Sequence, residues 1–406
     1  MARSIFSRYG RQVWILVAGS LINTFGTSIA YPFVSLYLFK YRGVPMADIG
    51  LALLVAAAAG GIVSVAGGEL CDRFGRKIML NVGLFTQMAV FSLMGYAIMA
   101  NMGFAEFLLL MALKEASGGL YRNVPQVMVA DTVEAGDRNG AFSLLRIGGN
   151  LGFALGPVFG GMLASYSYAA MFIITALTSG VYMLISICML RDTRPDERDV
   201  AEHVSHAPLW NDTPFLIYCV VSALGSLVYS NLFTTFGTFA GGFVQVSEAM
   251  VGLIFSLNGF MVVFFQLPIA LYLERFKLTT SLILGSLFYA VGFGIVGFCT
   301  DFWTLFASMF IITVGELVVT PASQTLLSEM APPEARGRYM SFSGFIGNVG
   351  SACGPAFGGQ LMDRFSANIM LMWLVLGALE LACAAGYLYL RLRLSARMDD
   401  VRSTAV

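Results

Sequence analysis

Long stretches of this chain contain no Asp, Glu, Lys or Arg. Eight such stretches run over 12–39, 49–68, 78–105, 147–190, 213–247, 249–273, 278–300 and 339–362. A helix of roughly 20 apolar residues crosses the hydrocarbon core of a bilayer. Because only 12% of the residues are charged, about half the share of an average soluble protein, the polar surface is too small to cover a globule of this size. The pattern predicts a polytopic membrane protein and argues against a soluble enzyme, a nucleic-acid-binding protein and a disordered chain.

Twelve spans account for the apolar sequence. The stretch 147–190 is long enough for two spans, and three further segments become spans if isolated charges are tolerated inside them: 107–130, 302–328 and 365–390. A large soluble helical protein would need polar helix faces at a 3.6-residue period, and 213–239 and 249–273 have none. We therefore predict an all-α membrane protein with twelve transmembrane helices.

Lys and Arg are unevenly distributed between the predicted loops. With the N-terminus inside, the cytoplasmic segments hold 18 Lys and Arg residues and the external loops hold three. The positive-inside rule then predicts both termini in the cytoplasm. We expect a multi-pass protein of the plasma (inner cell) membrane. Arg3, Arg8 and Arg11 precede an apolar run that is too long for a secretory signal, so we expect the first span to be retained.

The chain contains an internal repeat at an offset close to half its length. Residues 149–161 read GNLGFALGPVFGG and residues 347–359 read GNVGSACGPAFGG, with nine of thirteen positions identical. We predict two six-helix halves, 1–190 and 213–406, joined by a charged cytoplasmic linker over 191–212. Two such repeats are typical of secondary transporters, in which the substrate binds at the repeat interface near the bilayer midplane.

Two motifs resemble those of the major facilitator superfamily, and the resemblance covers essentially the whole chain. Segment 68–77, GELCDRFGRK, is similar to the superfamily's loop between spans 2 and 3, G-x-L-x-D-R-x-G-R-K. Segment 152–161 in span 5 resembles the antiporter motif of its drug:proton exporters, although Ser143 stands where that motif usually begins with Gly. The residues that carry the two motifs are Gly68, Asp72, Arg73, Gly75, Arg76 and Lys77, and Gly152, Gly156, Pro157, Gly160 and Gly161.

The resemblance implies a conformational gate at the first motif. It implies that Asp72 lies against the positive N-terminal end of span 11 and holds the cytoplasmic side closed. We expect Gly75 to adopt a positive φ where the chain reverses, and Arg76 to reach Asp131 at the end of span 4. The small residues of span 5 recur every four positions and form a ridge for close helix packing. Their link to antiport is implied by the resemblance alone.

Six ionisable residues lie inside predicted spans, where each costs about 2.5–3.5 kcal/mol at the membrane centre and is a functional candidate by default. They are Lys114, Glu115, Arg122, Arg146, Glu316 and Glu380. We predict that Glu316 and Glu115 are the proton-coupling acids. Arg122, Lys114 and Arg146 are predicted charge partners or substrate-binding bases in the cavity, together with Tyr31 and Asn23.

Two of these assignments stay open. Glu115 is either a proton site or a permanent salt-bridge partner of Arg122 or Lys114, since buried charges are usually paired. Lys114 stands where the resemblance places the Arg of the span-4 motif R-x-x-x-G, with Gly118 following, and a lysine can lose its proton when buried whereas an arginine effectively cannot. Glu380 lies in span 12, which the resemblance makes an outer helix, and it receives no role.

The expected function is secondary active transport by alternating access, with export of lipophilic or amphipathic compounds in exchange for protons. The chain has no G-x-x-x-x-G-K-[ST] motif, so coupling to a proton gradient rather than to ATP is expected. We expect a monomer whose partners are a small-molecule substrate, protons and membrane lipids, with no nucleic acid, metal or other cofactor. Three alternatives remain: a proton-coupled transporter of an anionic metabolite, a lipid or lysophospholipid flippase on the same fold, and a membrane enzyme.

Overall fold

The structure, a computed structural model, describes residues 9–134, 138–193, 211–332, 335–394 and 399. Within these ranges the chain is helical and contains no strand, which confirms the predicted all-α class. The first six helices are α1 Arg11–Arg42, α2 Met46–Phe74, α3 Arg76–Met99, α4 in two parts (Phe104–Tyr121 and Val124–Thr132), α5 Arg138–Tyr166 and α6 Tyr168–Met189. The next six are α7 Thr213–Tyr229, α8 Glu248–Leu273, α9 Leu278–Val296, α10 Phe302–Met330, α11 Arg336–Arg364 and α12 Met370–Arg391.

Two helices depart from regular α geometry. α4 is interrupted between Tyr121 and Val124, where Pro125 sits in the first turn of the second part and has no N–H to donate to the preceding turn. α7 continues past Tyr229 through a 3-10 segment at Ser230–Phe233 and a π-helical turn at Phe239–Phe243. Such irregular turns inside a helix are frequent at functional sites.

Ten of the described helices are long and apolar enough to cross a membrane. The other two of the predicted spans are the interrupted α4 and the Gly-rich α11, both of which are present as helices. Ten of the twelve predicted spans are therefore supported by length and composition, and the other two are supported only by their presence as helices.

The helix pairings repeat between the two halves of the sequence. α1 packs on α5 and α6, while α3 packs on α4 and α6. In the same way α7 packs on α11 and α12, while α9 packs on α10 and α12. Each set has its own cluster of buried apolar side chains, one around Leu16, Leu80 and Met128 and the other around Phe215 and Leu326. The internal repeat read from the sequence is therefore also a repeat of the packing.

Among the described residues, the chain divides into two compact units that exchange short segments relative to the predicted halves. The first unit comprises Met1–Val44, Leu51–Asp199 and Ser247–Val263, and the second comprises Pro45–Gly50, Val200–Val246 and Phe264–Val406. The start of α2 thus packs with the second unit, and the first half of α8 packs with the first. Residues 194–210 of the predicted linker lie outside the described residues, so its structure stays a prediction.

Candidate functional site

The loop between α2 and α3 reverses the chain at Gly75, whose φ of 103° is in the left-handed region that favours glycine. The buried guanidinium of Arg76 pairs with two acids: its Nη1 lies 3.0 Å from Asp72 Oδ1, and its Nε lies 3.1 Å from Asp131 Oδ2. The positive φ and the Arg76–Asp131 pair are both as predicted from the sequence. The predicted contact of Asp72 with span 11 stays a prediction.

Asp192, which follows α6, also binds this loop, and it was not singled out from the sequence. Its Oδ1 accepts hydrogen bonds from the backbone N–H groups of Arg76 at 3.0 Å and Lys77 at 3.4 Å, so it satisfies donors that the first turn of α3 leaves free. Asp399 holds the start of α9 in the same way, since its carboxylate accepts from the Thr279 N–H and hydroxyl, both at 2.8 Å. The sequence signal that could have identified both residues is that one aspartate follows the sixth predicted span and another follows the twelfth.

A ring of neutral polar groups lies inside the first unit. Asn23 Nδ2 donates to the Tyr121 hydroxyl at 3.1 Å, the Tyr121 hydroxyl donates to Gln87 Oε1, and Gln87 Nε2 donates back to Asn23 Oδ1 at 3.0 Å. Gln87 also donates to Ser179 Oγ at 2.8 Å. These groups lie beside a cavity of about 260 Å³ that Lys114 and Arg122 also line. Asn23 was predicted at the cavity, whereas Gln87 was missed because a single amide carries no pattern.

The structure brings together four residues that the sequence singled out in and around α4. Glu115 Oε1 accepts from Lys114 Nζ, and Glu115 Oε2 lies 2.9 Å from Arg122 Nη2. Lys114 Nζ also lies 5.3 Å from the centroid of the Tyr31 ring. One acid thus serves two bases, which favours the salt-bridge alternative for Glu115.

A second cavity of the first unit, about 710 Å³ in volume, has both charged and apolar walls. Arg122 and Arg146 line it together, and Phe142, Leu145 and Phe153 supply apolar surface. Such a lining suits an amphipathic molecule, because aromatic and aliphatic groups bury its apolar part while a few polar groups fix its orientation.

The second unit has a cavity of opposite charge, with a volume of about 270 Å³. Glu316 of α10 and Glu380 of α12 both line it, and no Lys, Arg or His occurs among the described residues of its wall. Tyr229 and Tyr289 supply aromatic surface, with ring centroids 5.8 Å apart. Glu316 thus lies at a cavity, and its assignment as a proton-coupling acid stays a prediction. Glu380, which had no assigned role, lies at the same cavity.

The glycines of the antiporter-type motif are sites of close helix packing. A Cβ built on Gly152 would lie 2.5 Å from Leu21 O of α1, and one on Gly156 would lie 2.8 Å from Phe25 O. Gly160 meets the backbone of Ile29 in the same way. The ridge predicted for span 5 is therefore the surface on which α1 packs.

The other face of the motif packs on α8. A Cβ on Gly161 would collide with the backbone of Glu248, and one on Gly252 would collide with the carbonyl of Pro157. The repeated motif of α11 does the same on the segment 45–50, where Gly359 faces Met46. These glycines therefore form the seams at which the two exchanged segments are held.

Charged groups fix the ends of both exchanged segments. Glu248, the first residue of α8, accepts from Lys40 Nζ at 2.9 Å and from the Tyr41 hydroxyl at 2.8 Å. Asp363 accepts from the Met46 and Ala47 N–H groups at 3.1 and 2.7 Å, at the N-terminus of α2. Neither acid was singled out from the sequence, because each lies at a helix end among ordinary loop charges.

Comparisons with known proteins agree with this architecture. The sequence profile of the Major Facilitator Superfamily matches residues 16–245 and, in a second match, residues 214–403. The uncharacterized MFS-type transporter YttB of Bacillus subtilis is 25% identical over 372 residues, covering 90% of this chain and 92% of that protein. The multidrug resistance protein MdtH of Aeromonas salmonicida is 26% identical over 376 residues, covering 91% of this chain and 92% of that protein.

A solved structure has the same fold. The nucleoside transporter NupG superposes with a TM-score of 0.80 at 14% sequence identity, covering 94% of this chain and 100% of that chain. At this identity the likeness concerns the fold alone. The matched proteins are membrane transporters and not enzymes, and the family profile spans nearly all of the described helices. The chain therefore belongs to the major facilitator superfamily.

Proposed function

We propose that this transporter exports lipophilic or amphipathic compounds in exchange for protons, by alternating access. It acts in the plasma membrane with both termini in the cytoplasm. The observation that carries the proposal is the position of Glu316, an acid inside a predicted span, in the wall of a cavity of the second unit. Glu115, the other proposed proton-coupling acid, is instead paired with Lys114 and Arg122.

A carboxyl group at such a cavity is suited to carry an exchangeable proton. The ionised form of a carboxyl inside a membrane protein is costly, so a carboxyl in such a position can bind a proton. Binding a proton removes the charge and changes the relative stability of two conformations, so protonation at Glu316 can drive the transport cycle.

The cavity lined by Arg122 and Arg146 supports the choice of substrate. Its wall combines aromatic and aliphatic side chains with two guanidinium groups, so that it can hold the apolar body of an amphipathic compound and orient its polar end. The relative named multidrug resistance protein MdtH also supports export of such compounds.

The exchanged segments supply elements that alternating access can use. The contacts of Glu248 with Lys40 and of Asp363 with the start of α2 join parts of the chain that the repeat assigns to different halves. Such contacts must break and re-form if the halves rock around the site. The loop with the Arg76 ion pairs is the proposed gate on the cytoplasmic side.

The test is substrate-induced proton movement in everted membrane vesicles, with lipophilic dyes as substrates. We expect Glu316→Gln to reduce this movement at least about tenfold, because the amide cannot bind and release a proton. Glu329→Gln is the matched control, since Glu329 is on the same helix but is not part of the cavity wall, and it should behave as the wild type. Proton movement that is unchanged in Glu316→Gln would refute the assignment of Glu316.

A proton-coupled transporter of an anionic metabolite is the second candidate. The two guanidinium groups of Arg122 and Arg146 at one cavity favour it, because arginine binds carboxylates and phosphates with two parallel hydrogen bonds. Uptake or export of a carboxylated compound that Arg146→Ala abolishes and Arg138→Ala leaves intact would favour this candidate over the first.

A further inference from the structure

Glu380 is a buried carboxyl for which the proposed function has no use. It lies in the middle of α12, its side chain is 1% exposed, and its Oε1 has no hydrogen-bond partner among the described residues. An unpartnered polar atom at such depth is costly and rare in proteins. We therefore expect Glu380 Oε1 to bind a ligand, and the smallest ligand that a carboxylate oxygen can bind is a proton.

Glu380 shares its cavity with Glu316. Five helices form the wall, and the titratable groups that they contribute are Tyr229 from α7, Tyr289 from α9, Glu316 from α10, and Glu380, Cys383 and Tyr387 from α12. α11 contributes Ser351, and no Lys, Arg or His is among the described residues of the wall. Among the described groups of this wall, the two carboxyls are the ones with the lowest ordinary pKa.

The cavity also gives protons a path to both carboxyls. Its volume of about 270 Å³ is room for several water molecules, at about 30 Å³ each. Gly225 leaves space next to Glu380, because even a Cβ built on it would lie 3.9 Å from Glu380 Oε1. Hydroxyl groups of Ser226, Ser286 and Thr320 line the same space and can hold such water in place.

Two carboxyls that face one such cavity cannot lose their protons independently. Ionisation of the first places a negative charge on the wall, and ionisation of the second adds a like charge to the wall of the same cavity of about 270 Å³. The protons therefore leave the pair in two steps that belong to both residues.

We propose that Glu316 and Glu380 form a single proton-binding site, so that Glu380 is a second proton-carrying carboxyl of this protein. The pair holds two protons in its neutral form. It releases one proton to the cavity water to become singly charged, and it takes one proton back by forming an O–H bond. The role of this pair in proton coupling rests on the proposed function. The linked release of protons from the two carboxyls does not depend on that function.

Dicyclohexylcarbodiimide provides the test, because it modifies protonated carboxyls in apolar surroundings. Purified protein in detergent, without substrate or gradient, is treated with the reagent from about pH 5 to about pH 9, a range that brackets neutral pH and lies above the ordinary values for Glu. Peptide mass spectrometry then measures the extent of modification at each glutamate and gives a midpoint pH for each. The midpoints are compared between wild type, Glu316→Gln and Glu380→Gln.

We expect both carboxyls to be modified in the wild type. Replacing one by Gln removes its charge, so the midpoint of the carboxyl that ionises second should fall by at least about one pH unit in the corresponding variant. Glu329→Gln, on α10 but not part of the cavity wall, should move neither midpoint. Gly225→Ala, which leaves both carboxyls in place, should raise the midpoint of Glu380 because its methyl group displaces water from the Oε1 side.

Two results would overturn the shared site. One is the absence of any modification of Glu380 across the pH range. The other is a set of midpoints that stays at the wild-type values in both Gln variants and in Gly225→Ala. The proposed function fails separately: if proton movement is absent while the midpoints shift, the site exists but export is not coupled to protons. If Glu316→Gln stops proton movement while the midpoints stay fixed, Glu316 acts alone.

Discussion

Replacing Gly152 with alanine is expected to lower the free energy of unfolding by about 1–3 kcal/mol, the range for groups forced into a well-packed interior. The added Cβ would lie 2.5 Å from Leu21 O and 2.7 Å from Phe25 N, which are backbone atoms of α1 and cannot rotate away. α1 and α5 would have to separate, and the packing on which the first unit depends would be lost. The measurement is the midpoint temperature of thermal unfolding of the purified protein in detergent.

Gly149 supplies the matched control one turn earlier on α5. A Cβ there would meet only Ser20 Oγ and Thr24 Oγ1, both at 3.7 Å, which is ordinary van der Waals contact. Alanine also has the higher helix propensity, by about 1 kcal/mol, so Gly149→Ala should be neutral or slightly stabilising. Equal midpoints for the two variants would show that the motif is not a packing seam.

The same contrast bears on the meaning of the antiporter-type motif. Gly350 of α11 is the repeat equivalent of Gly152, and a Cβ on it would collide with the carbonyl of Ala223 in α7. The motif and its repeat thus perform one physical task in both units, which is to let two helix backbones approach closely. If the motif of α5 influences the direction of transport, we expect it to do so through the packing of α1 and α8 on this ridge.

The sequence was informative where a property repeats or is locally determined. Uncharged stretches predicted the helices, because a bilayer demands about 20 apolar residues in a row. The repeat of 149–161 at 347–359 predicted a packing that also recurs. Gly75 and the Arg76–Asp131 pair were predicted because the loop motif carries a bend and charges at fixed spacing.

What the sequence could not supply are the contacts between distant elements. Glu380 lies in a helix that is apolar around most of its circumference, so no pattern indicates that its side chain reaches the cavity rather than lipid. Asp192 and Gln87 act through partners more than thirty residues away. The exchange of segments 45–50 and 247–263 likewise depends on how glycines of α5 and α11 meet other helices.

Replacing Glu115 with glutamine is expected to be the most damaging of the charge changes in the first unit. The amide cannot offset the two cations that Glu115 pairs with, Lys114 and Arg122. The side chain of Lys114 is 20% exposed whereas that of Arg122 is 64% exposed. Most of the lost stability therefore comes from the unpaired ammonium of Lys114, because water screens the charge of Arg122. We expect a loss of about 2 kcal/mol, in the range for hydrogen bonds to charged groups.

Two further variants make this loss interpretable. Glu106→Gln makes the same chemical change at an exposed position of the same helix and should leave the unfolding midpoint unchanged. Lys114→Gln introduced together with Glu115→Gln removes the stranded cation and should recover part of the stability. The double-mutant cycle measures the coupling between the two residues directly.

The same variant decides between the two roles left open for Glu115. If Glu115 is a permanent salt-bridge partner, Glu115→Gln loses stability at neutral pH, because the carboxylate that pairs with Lys114 and Arg122 is gone. If Glu115 carries a transported proton, glutamine imitates its protonated form, so the fold persists at wild-type stability and substrate-induced proton movement falls. The ion pairs favour the first outcome, and in that case the proposed proton coupling rests on Glu316 and Glu380 of the second unit. A stable Glu115→Gln protein that binds substrate but moves no protons would instead place the coupling in the first unit.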